Sequence, residues 1–231
     1  MTTTFITGAN KSLGYETARR LITAGHTVLI GARDPQRGQA AAEALGARFV
    51  QIDVTDDASV QAAADDVAAH EGTVDVLVNN AGVPGPYVPA DELTGADAAA
   101  VFDVNVFGIV RVTHAFLPLL RKSSNPVVVN VSSGLGSFAA THDPDRVEGT
   151  FTAPLYTSSK AAVTMLTTQY AKALPDVKFN AVDPGYTATD FNGHGGPQTV
   201  TEGTDAIVEL ASIGTDGPTG VFRDRHGVVA W

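Results

Sequence analysis

Strand and helix patterns alternate along this chain without a break, and that alternation limits its fold more than any other feature. Phe5-Ile6-Thr7 reads as a short apolar strand. A helical pattern follows, with Tyr15, Ala18, Leu21 and Ile22 on one face and Gly25 at its end. Thr27 to Gly31 is a second strand. Pro35 is placed to start the next helix and Gly46 to close it. Strand patterns recur at Phe49–Ile52, Val74–Asn79, Pro126–Val131, Val177–Val182 and Gly220–Arg223. Helical patterns fall between them, over about 56–70, 96–120, 155–173 and 202–212. The stretch Pro126–Val131 is nearly all valine, as a strand buried on both faces requires. Such a series builds a parallel sheet with right-handed crossovers and helices on both faces. We therefore expect an α/β, doubly wound sheet of about seven parallel strands. Without a linker, repeat or low-complexity tail, residues 1–231 read as one domain. Ligands of such sheets bind at the carboxyl ends of the strands, where the strand order reverses.

Bulk properties narrow the function. Net charge is −10, from 15 basic and 25 acidic side chains. This argues against nucleic acid or an anionic membrane as partner. There is no cysteine, which excludes disulfides, thiolate metal sites and a Cys nucleophile. The six histidines have no metal-site spacing, so no metal is expected. His142 and His194 fall in loops beside the expected cleft and read as ordinary loop residues, and Asp143, Asp145 and Glu148 as a solvated loop face. Apolar runs are only a few residues long, and the N-terminus lacks a signal-peptide pattern, so no membrane and a cytoplasmic location are expected.

Two local patterns carry chemistry. Gly8-Ala9-Asn10-Lys11-Ser12-Leu13-Gly14 joins the first strand to the first helix. Glycine there permits a tight turn and close approach of a pyrophosphate, and the helix start offers free N–H groups. Further on, Tyr156 and Lys160 stand four apart on a helix and address the same small volume. A nearby ammonium favours phenolate, so the pair reads as an acid/base device.

Together with other motifs, these segments resemble the short-chain dehydrogenase/reductase family, in its carbonyl reductase-like, NADP-preferring form. Thr7-Gly8-x-x-x-Ser12-x-Gly14 is similar to the family's cofactor turn, with Ser12 in place of the middle glycine. Asn79-Asn80-Ala81-Gly82, Asn105, Val131-Ser132-Ser133, Tyr156-x-x-x-Lys160 and Pro184-Gly185 follow in the family's order. The resemblance covers nearly the whole chain and implies a Rossmann-type fold and a nicotinamide cofactor. It implies that Tyr156 exchanges the proton of a carbonyl/alcohol substrate and that Lys160 lowers the Tyr156 pKa and bonds the nicotinamide ribose. Ser133, with Ser132 in reserve, would position the substrate oxygen, and Asn105 would bond backbone or water in a proton relay. Gly8, Asn10, Lys11, Ser12, Leu13 and Gly14 would face the phosphates. Asp53, Val54, Asn79, Ala81 and Gly82 would line the nucleoside side, and Pro184, Gly185, Thr187 and Thr189 the nicotinamide end.

Residue types at the end of the second strand select the cofactor. An NAD site places a carboxylate there, to accept from the ribose 2′-OH. This chain has Ala32 followed by Arg33. A guanidinium binds a 2′-phosphate, and Lys11 and Arg37 add positive charge, so NADP is expected. Asp34 is expected to point away.

The 22 residues between Ser133 and Tyr156 exceed the family's usual number and read as a loop or short helix at the cleft mouth. Gly193, Gly195 and Gly196 suggest a mobile lid after Pro184. Phe138, Phe151, Tyr186 and Phe191 are expected to wall the pocket. The family's habit implies a homodimer or homotetramer. Two other readings are a non-catalytic dinucleotide sensor and a dehalogenase-like relative without nucleotide. The intact Ser133, Tyr156 and Lys160 oppose the first, and the glycine turn and Arg33 the second.

Overall fold

In the computed structural model, which describes residues 2–231, the alternation appears as one eight-stranded sheet. In chain order the elements are β1 (Thr3–Thr7), α1 (Ser12–Thr23), β2 (Thr27–Ala32), α2 (Pro35–Leu45), β3 (Arg48–Gln51) and α3 (Asp57–His70). Then come β4 (Val76–Asn79), α4 (Gly95–Phe102), α5 (Gly108–Leu120), β5 (Val127–Val131), α6 (Phe138–His142) and α7 (Pro154–Ala173). The chain ends with β6 (Lys178–Val182), α8 (Val200–Gly203), α9 (Asp205–Ala211), β7 (Phe222–Asp224) and β8 (Gly227–Val228). Their order across the sheet is β3-β2-β1-β4-β5-β6-β7-β8. The order reverses between β1 and β4, which opens a crevice at their carboxyl ends.

Alternate residues of each strand feed two cores. Phe5, Leu29, Leu77, Val128 and Phe179 face the layer that holds Val60, Val112 and Phe116. Ile6, Ile30, Val78 and Val129 face the layer that holds Ala18, Leu21, Ile207 and Leu210. All five residues of β5 are buried. One polar thread crosses this region: Asn79 Nδ2 donates to Asn130 Oδ1 at 2.8 Å, and Asn130 Nδ2 donates to Thr167 Oγ1 at 2.9 Å. It ties β4 and β5 to α7.

The structure corrects the sequence expectation at several points. An eighth strand exists and is antiparallel. Its turn is made by the Asp224 carboxylate, which accepts from the amides of His226 (2.7 Å) and Gly227 (2.9 Å). The long helix over 96–120 is divided by a π-helical turn, Asp103–Phe107, and Asn105 lies within it. This run, Gly95–Leu120, is also apolar and long enough by composition to cross a membrane, although the sequence reading saw only short apolar runs. Here Val112, Phe116, Leu119 and Leu120 bury its inner face on the sheet. The helix expected at 202–212 is two helices, α8 and α9. Within the insert, read as a loop or short helix, lies the short helix α6.

Removing the middle of the polar thread leaves a buried amide without its partner. Asn130→Ala is expected to cost about 1–3 kcal/mol, measured as a loss of unfolding free energy in urea.

Candidate active site

The turn after β1 is held by its neighbours. Gly8 has φ +65, and a Cβ there would lie 3.0 Å from Ala81 Cα. A Cβ on Gly14 would lie 2.6 Å from the Gly8 carbonyl oxygen, so helix α1 starts directly against the strand end. Ser12, in place of the family's middle glycine, has φ +48. A serine in this left-handed region costs about 1 kcal/mol. Asn80 was not singled out as a site residue, yet it ties this turn to β4. Its Nδ2 donates to the carbonyls of Thr7 (2.9 Å) and Gly8 (3.1 Å). The Thr7 hydroxyl in turn accepts from the amides of Asn80 (3.0 Å) and Ala81 (3.1 Å). The only signal was its place in Asn79-Asn80-Ala81-Gly82.

The N-terminus of α1 carries no side-chain cap. By contrast, Asp34, Asp56 and Thr94 cap α2, α3 and α4. Free N–H groups, glycines too tightly packed to bear a Cβ and a position at the sheet's switch point fit the pyrophosphate of a dinucleotide. Asn10 and Leu13 are partly exposed on this turn, and Lys11 is exposed.

Of the other expected cofactor contacts, Arg33 is exposed just beyond the buried Ala32. Asp34 is committed to α2, where its carboxylate accepts from the Arg37 amide at 3.0 Å. Arg37 itself is exposed and pairs with Asp34 at 3.6 Å. Asp53 is partly exposed. Burial raises its pKa, but hydrogen bonds from Thr55 and the charges of Arg33 and Arg111 outweigh this and lower it. Val54 is buried below Gly108, and Ala81 and Gly82 are partly exposed. Asn79 is 3% exposed; its Nδ2 donates to Asn130 and Thr113 and ties the strands together, while its Oδ1 is buried without a partner among the described residues.

Beside this crevice, the ends of β5 and α7 meet. Ser132 is buried and donates to the Lys160 carbonyl at 3.1 Å. Ser133 is partly exposed, accepts from the Leu135 amide at 3.2 Å and works to lower the Tyr156 pKa. Pro154 starts α7 and sets Tyr156 in its first turn. The Lys160 Nζ is 5.6 Å from the Tyr156 ring centroid and donates to the Val131 carbonyl at 2.8 Å. A Cβ on Gly82 would lie 3.3 Å from Asn105 Oδ1 and 3.7 Å from Lys160 Nζ, so these three residues converge.

Asn105 bonds backbone, as expected: its Oδ1 accepts from the Val83 amide at 2.8 Å, and its Nδ2 donates to the Val83 carbonyl at 2.9 Å and to Ser159 Oγ at 3.0 Å. The π turn supplies the local shift that lets a helix residue reach this loop.

Burial dominates the electrostatics of this pair. It pushes the Tyr156 phenol above its ordinary value; Ser133 opposes this, and the charges of Asp183 and Tyr87 add to it. Burial also pushes Lys160 down to about 8, with Asp183 acting the other way. The Lys160 ammonium donates to the Val131 carbonyl, and burial weakens its hold on the proton.

Comparison with known proteins decides the family. The family model described as short chain dehydrogenase matches residues 2–199. The chain belongs to the short-chain dehydrogenase family. A (+)-neomenthol dehydrogenase of Capsicum annuum is 29% identical over 96% of this chain and 95% of its own length. The structure of salutaridine reductase from Papaver somniferum superposes with TM-score 0.86 and 29% identity, covering 97% of this chain and all (100%) of that one. NADPH-bound carbonyl reductase from chicken fatty liver gives TM-score 0.88 and 28% identity, over 99% of this chain and 98% of the other. Membership makes this chain an oxidoreductase of that family.

In this short-chain dehydrogenase the segment after β6 folds over the site. Gly185 has φ +70, and a Cβ there would strike the Gln198 side chain. Pro184 is partly exposed beside it. Thr187 and Thr189 are 4% and 5% exposed. The Thr187 hydroxyl donates to the Pro184 carbonyl at 2.8 Å. At Thr189 the backbone holds the loop: its amide donates to Asn192 Oδ1 at 3.2 Å, and its carbonyl accepts from the amides of Asn192 (3.2 Å) and His194 (2.8 Å).

Lys11 reaches across to Asp190 at 3.2 Å, and His194 pairs with the same carboxylate at 3.0 Å. Lys11 is therefore engaged with the lid rather than standing free for a phosphate. The Tyr87 hydroxyl donates to the Phe191 carbonyl at 3.2 Å, and the Phe191 ring lies 5.5 Å from that of Tyr156. Phe151 and Tyr186 meet edge to face at 5.6 Å. Phe138 is a correction: it is 70% exposed, on a helix bonded to the C-terminus at Ala230 and Trp231, and walls no pocket.

An exposed ion pair contributes up to about 1 kcal/mol. Asp190→Asn is expected to speed amide hydrogen exchange across 190–196 by up to about fivefold, read by mass spectrometry.

Proposed function

We propose that the protein is an NADP-dependent oxidoreductase of carbonyl/alcohol pairs, with Tyr156 as its general acid/base. The observation that carries this reading is the convergence of Tyr156, Ser133 and Lys160 at the end of β5, beside the uncapped start of α1. When bound, the nicotinamide supplies hydride to a carbonyl carbon or takes it from an alcohol. Ser133 donates a hydrogen bond to the substrate oxygen and orients it. Tyr156 gives its proton to that oxygen in reduction and takes one in oxidation. A phenol kept protonated by burial suits the first direction. Lys160 would hold the nicotinamide ribose, and its ammonium would return a proton toward Tyr156. Asn105 holds the Val83 backbone so that Gly82 stays open beside Lys160.

Preference for NADP is supported by Arg33, exposed beyond Ala32 where an NAD site needs a carboxylate, and by the commitment of Asp34 to α2. The Phe191 ring, 5.5 Å from that of Tyr156, favours an apolar, ring-bearing substrate. The resemblance to a neomenthol dehydrogenase and a salutaridine reductase points the same way.

A scan of NADPH consumption over aldehydes, ketones and quinones tests the reading. Tyr156→Phe is expected to lower kcat by about 10²–10⁴-fold while NADPH binding is kept, and Lys160→Ala to weaken both. Tight NADPH binding without turnover across the panel would instead favour a dinucleotide sensor. Arg33→Ala is expected to lower kcat/KM for NADPH by roughly tenfold or more and to leave NADH use nearly unchanged. A wild-type preference for NADH would overturn the cofactor assignment.

A further inference from the structure

Of the large apolar and aromatic side chains described, Tyr87 is the most exposed, at 83%. Nothing above gives it a role. It stands on the loop that follows β4, over 82–89. Pro84, Pro86 and Pro89 fix φ at three positions of that loop and stiffen it. Gly85, at φ +84, lets the loop lie close against α4, since a Cβ there would be 2.8 Å from Val101 Cγ2. From this braced arm the Tyr87 hydroxyl crosses the cleft and donates to the Phe191 carbonyl at 3.2 Å.

The far side is built differently. Phe191 is the middle residue of the turn Asp190–Asn192, and each residue of that turn is pinned by a side chain. The Asp190 carboxylate takes Lys11 and His194, at 3.2 and 3.0 Å. The Phe191 carbonyl takes Tyr87. The Asn192 side chain donates to the Thr187 carbonyl at 2.8 Å and accepts from the Thr189 amide at 3.2 Å. Just beyond the turn, Gly193, His194 and Gly196 have φ of +64, +62 and +113. Glycine changes such angles at little cost, and a histidine there is strained. The arm is therefore the fixed side and the turn the movable one. The two contacts that reach the turn from outside the lid, those of Lys11 and Tyr87, lie at the surface, where such contacts are weak and give way easily.

The turn carries Phe191 onto Tyr156. The two ring centroids are 5.5 Å apart, with the planes tilted by 57°. Aromatic rings in contact have centroids about 4.5–7 Å apart. These two therefore touch, and no third ring fits between them. A substrate that lays a ring against the phenol must take the place of Phe191 there. Phe191 then swings aside, and its face is free to stack on the incoming ring. A ring-bearing substrate thus replaces the contact that it breaks. An open-chain carbonyl that displaces Phe191 breaks the same contact and returns less. Specificity is this difference.

We propose that Tyr87 and Phe191 form a clasp over Tyr156 that selects carbonyl substrates with a flat, apolar ring next to the reacting carbon. Phe191 determines the specificity, and Tyr87 is a positioning residue that keeps it in reach. The proposal rests on the role given to Tyr156 above, because it takes the carbonyl to be delivered to that phenol.

Acetophenone and 2-octanone, ketones of equal carbon number, test it. Their binding to the full chain saturated with NADP+ is measured by calorimetry, where no turnover occurs, and their kcat/KM by NADPH consumption. The wild type is expected to prefer acetophenone in both. Phe191→Ala is expected to lower that preference about tenfold, chiefly through weaker binding of acetophenone. Phe191→Leu, which keeps apolar bulk without a ring face, is expected to lower it as well. Tyr87→Phe keeps both rings and loses the hydroxyl, and is expected to raise the KM for acetophenone severalfold with a smaller effect on kcat. A wild-type preference for 2-octanone, an equal loss for both ketones in Phe191→Ala, or a full preference in Phe191→Leu overturns the proposal. An unchanged KM in Tyr87→Phe removes Tyr87 from it. Should Phe191→Ala fail to fold, Phe191→Leu and the exposed Tyr87→Phe decide. Ring-selective binding that depends on Phe191, with no ketone turned over, would sink the catalytic reading and leave the clasp. Turnover that is indifferent to residue 191 does the reverse.

Discussion

The register of β5 between β4 and β6 is the constraint on which the site depends. Parallel strands end at the same edge of a sheet, so everything that follows β4, β5 and β6 is delivered to one place. Asn79 opposite Asn130, and Val131 opposite Val182, set that edge level. Ser133 and Asp183 then emerge beside one another, and the Val131 carbonyl is left facing α7, where it takes the Lys160 ammonium. A slip of one residue would turn each of these groups to the opposite face. The valine content of β5 matters for this reason, since burial on both faces leaves the strand one setting.

Charge in this interior is arranged around a small number of groups. Lys160 and Asp183 are buried, and both have their hydrogen bonds met by backbone. Burial dominates the titration of Tyr156 and Lys160 alike, and in both it works against the charged form. The protein therefore keeps a phenol and an ammonium close together in an interior that disfavours the charged form of each.

Much of the fold was legible in the sequence because periodicity is a local property. The run of strands and helices, the glycine turn after β1 and the helical spacing of Tyr156 and Lys160 all follow from near neighbours in the chain. The antiparallel β8 escaped notice because it is two residues long and depends on an Asp224 turn. The π turn at Asn105 escaped notice because one extra residue in a helical turn leaves the apolar pattern nearly unchanged. Of the expected contacts, the Asn79 amide nitrogen and the Thr187 hydroxyl are bonded within the protein itself. Residue type alone does not tell which partner a polar side chain finds.

What the sequence by itself determined was the doubly wound architecture and the set of groups brought to the strand ends. Only the tertiary structure decided that Ser132 is buried against the Lys160 carbonyl while Ser133 stays partly exposed, and that Asn80 rather than Asn79 holds the turn after β1. It likewise decided that Tyr87 meets Phe191 across the cleft. Burial and charge–charge coupling depend on distances between residues far apart in the chain. Those distances exist only once the sheet has set its register.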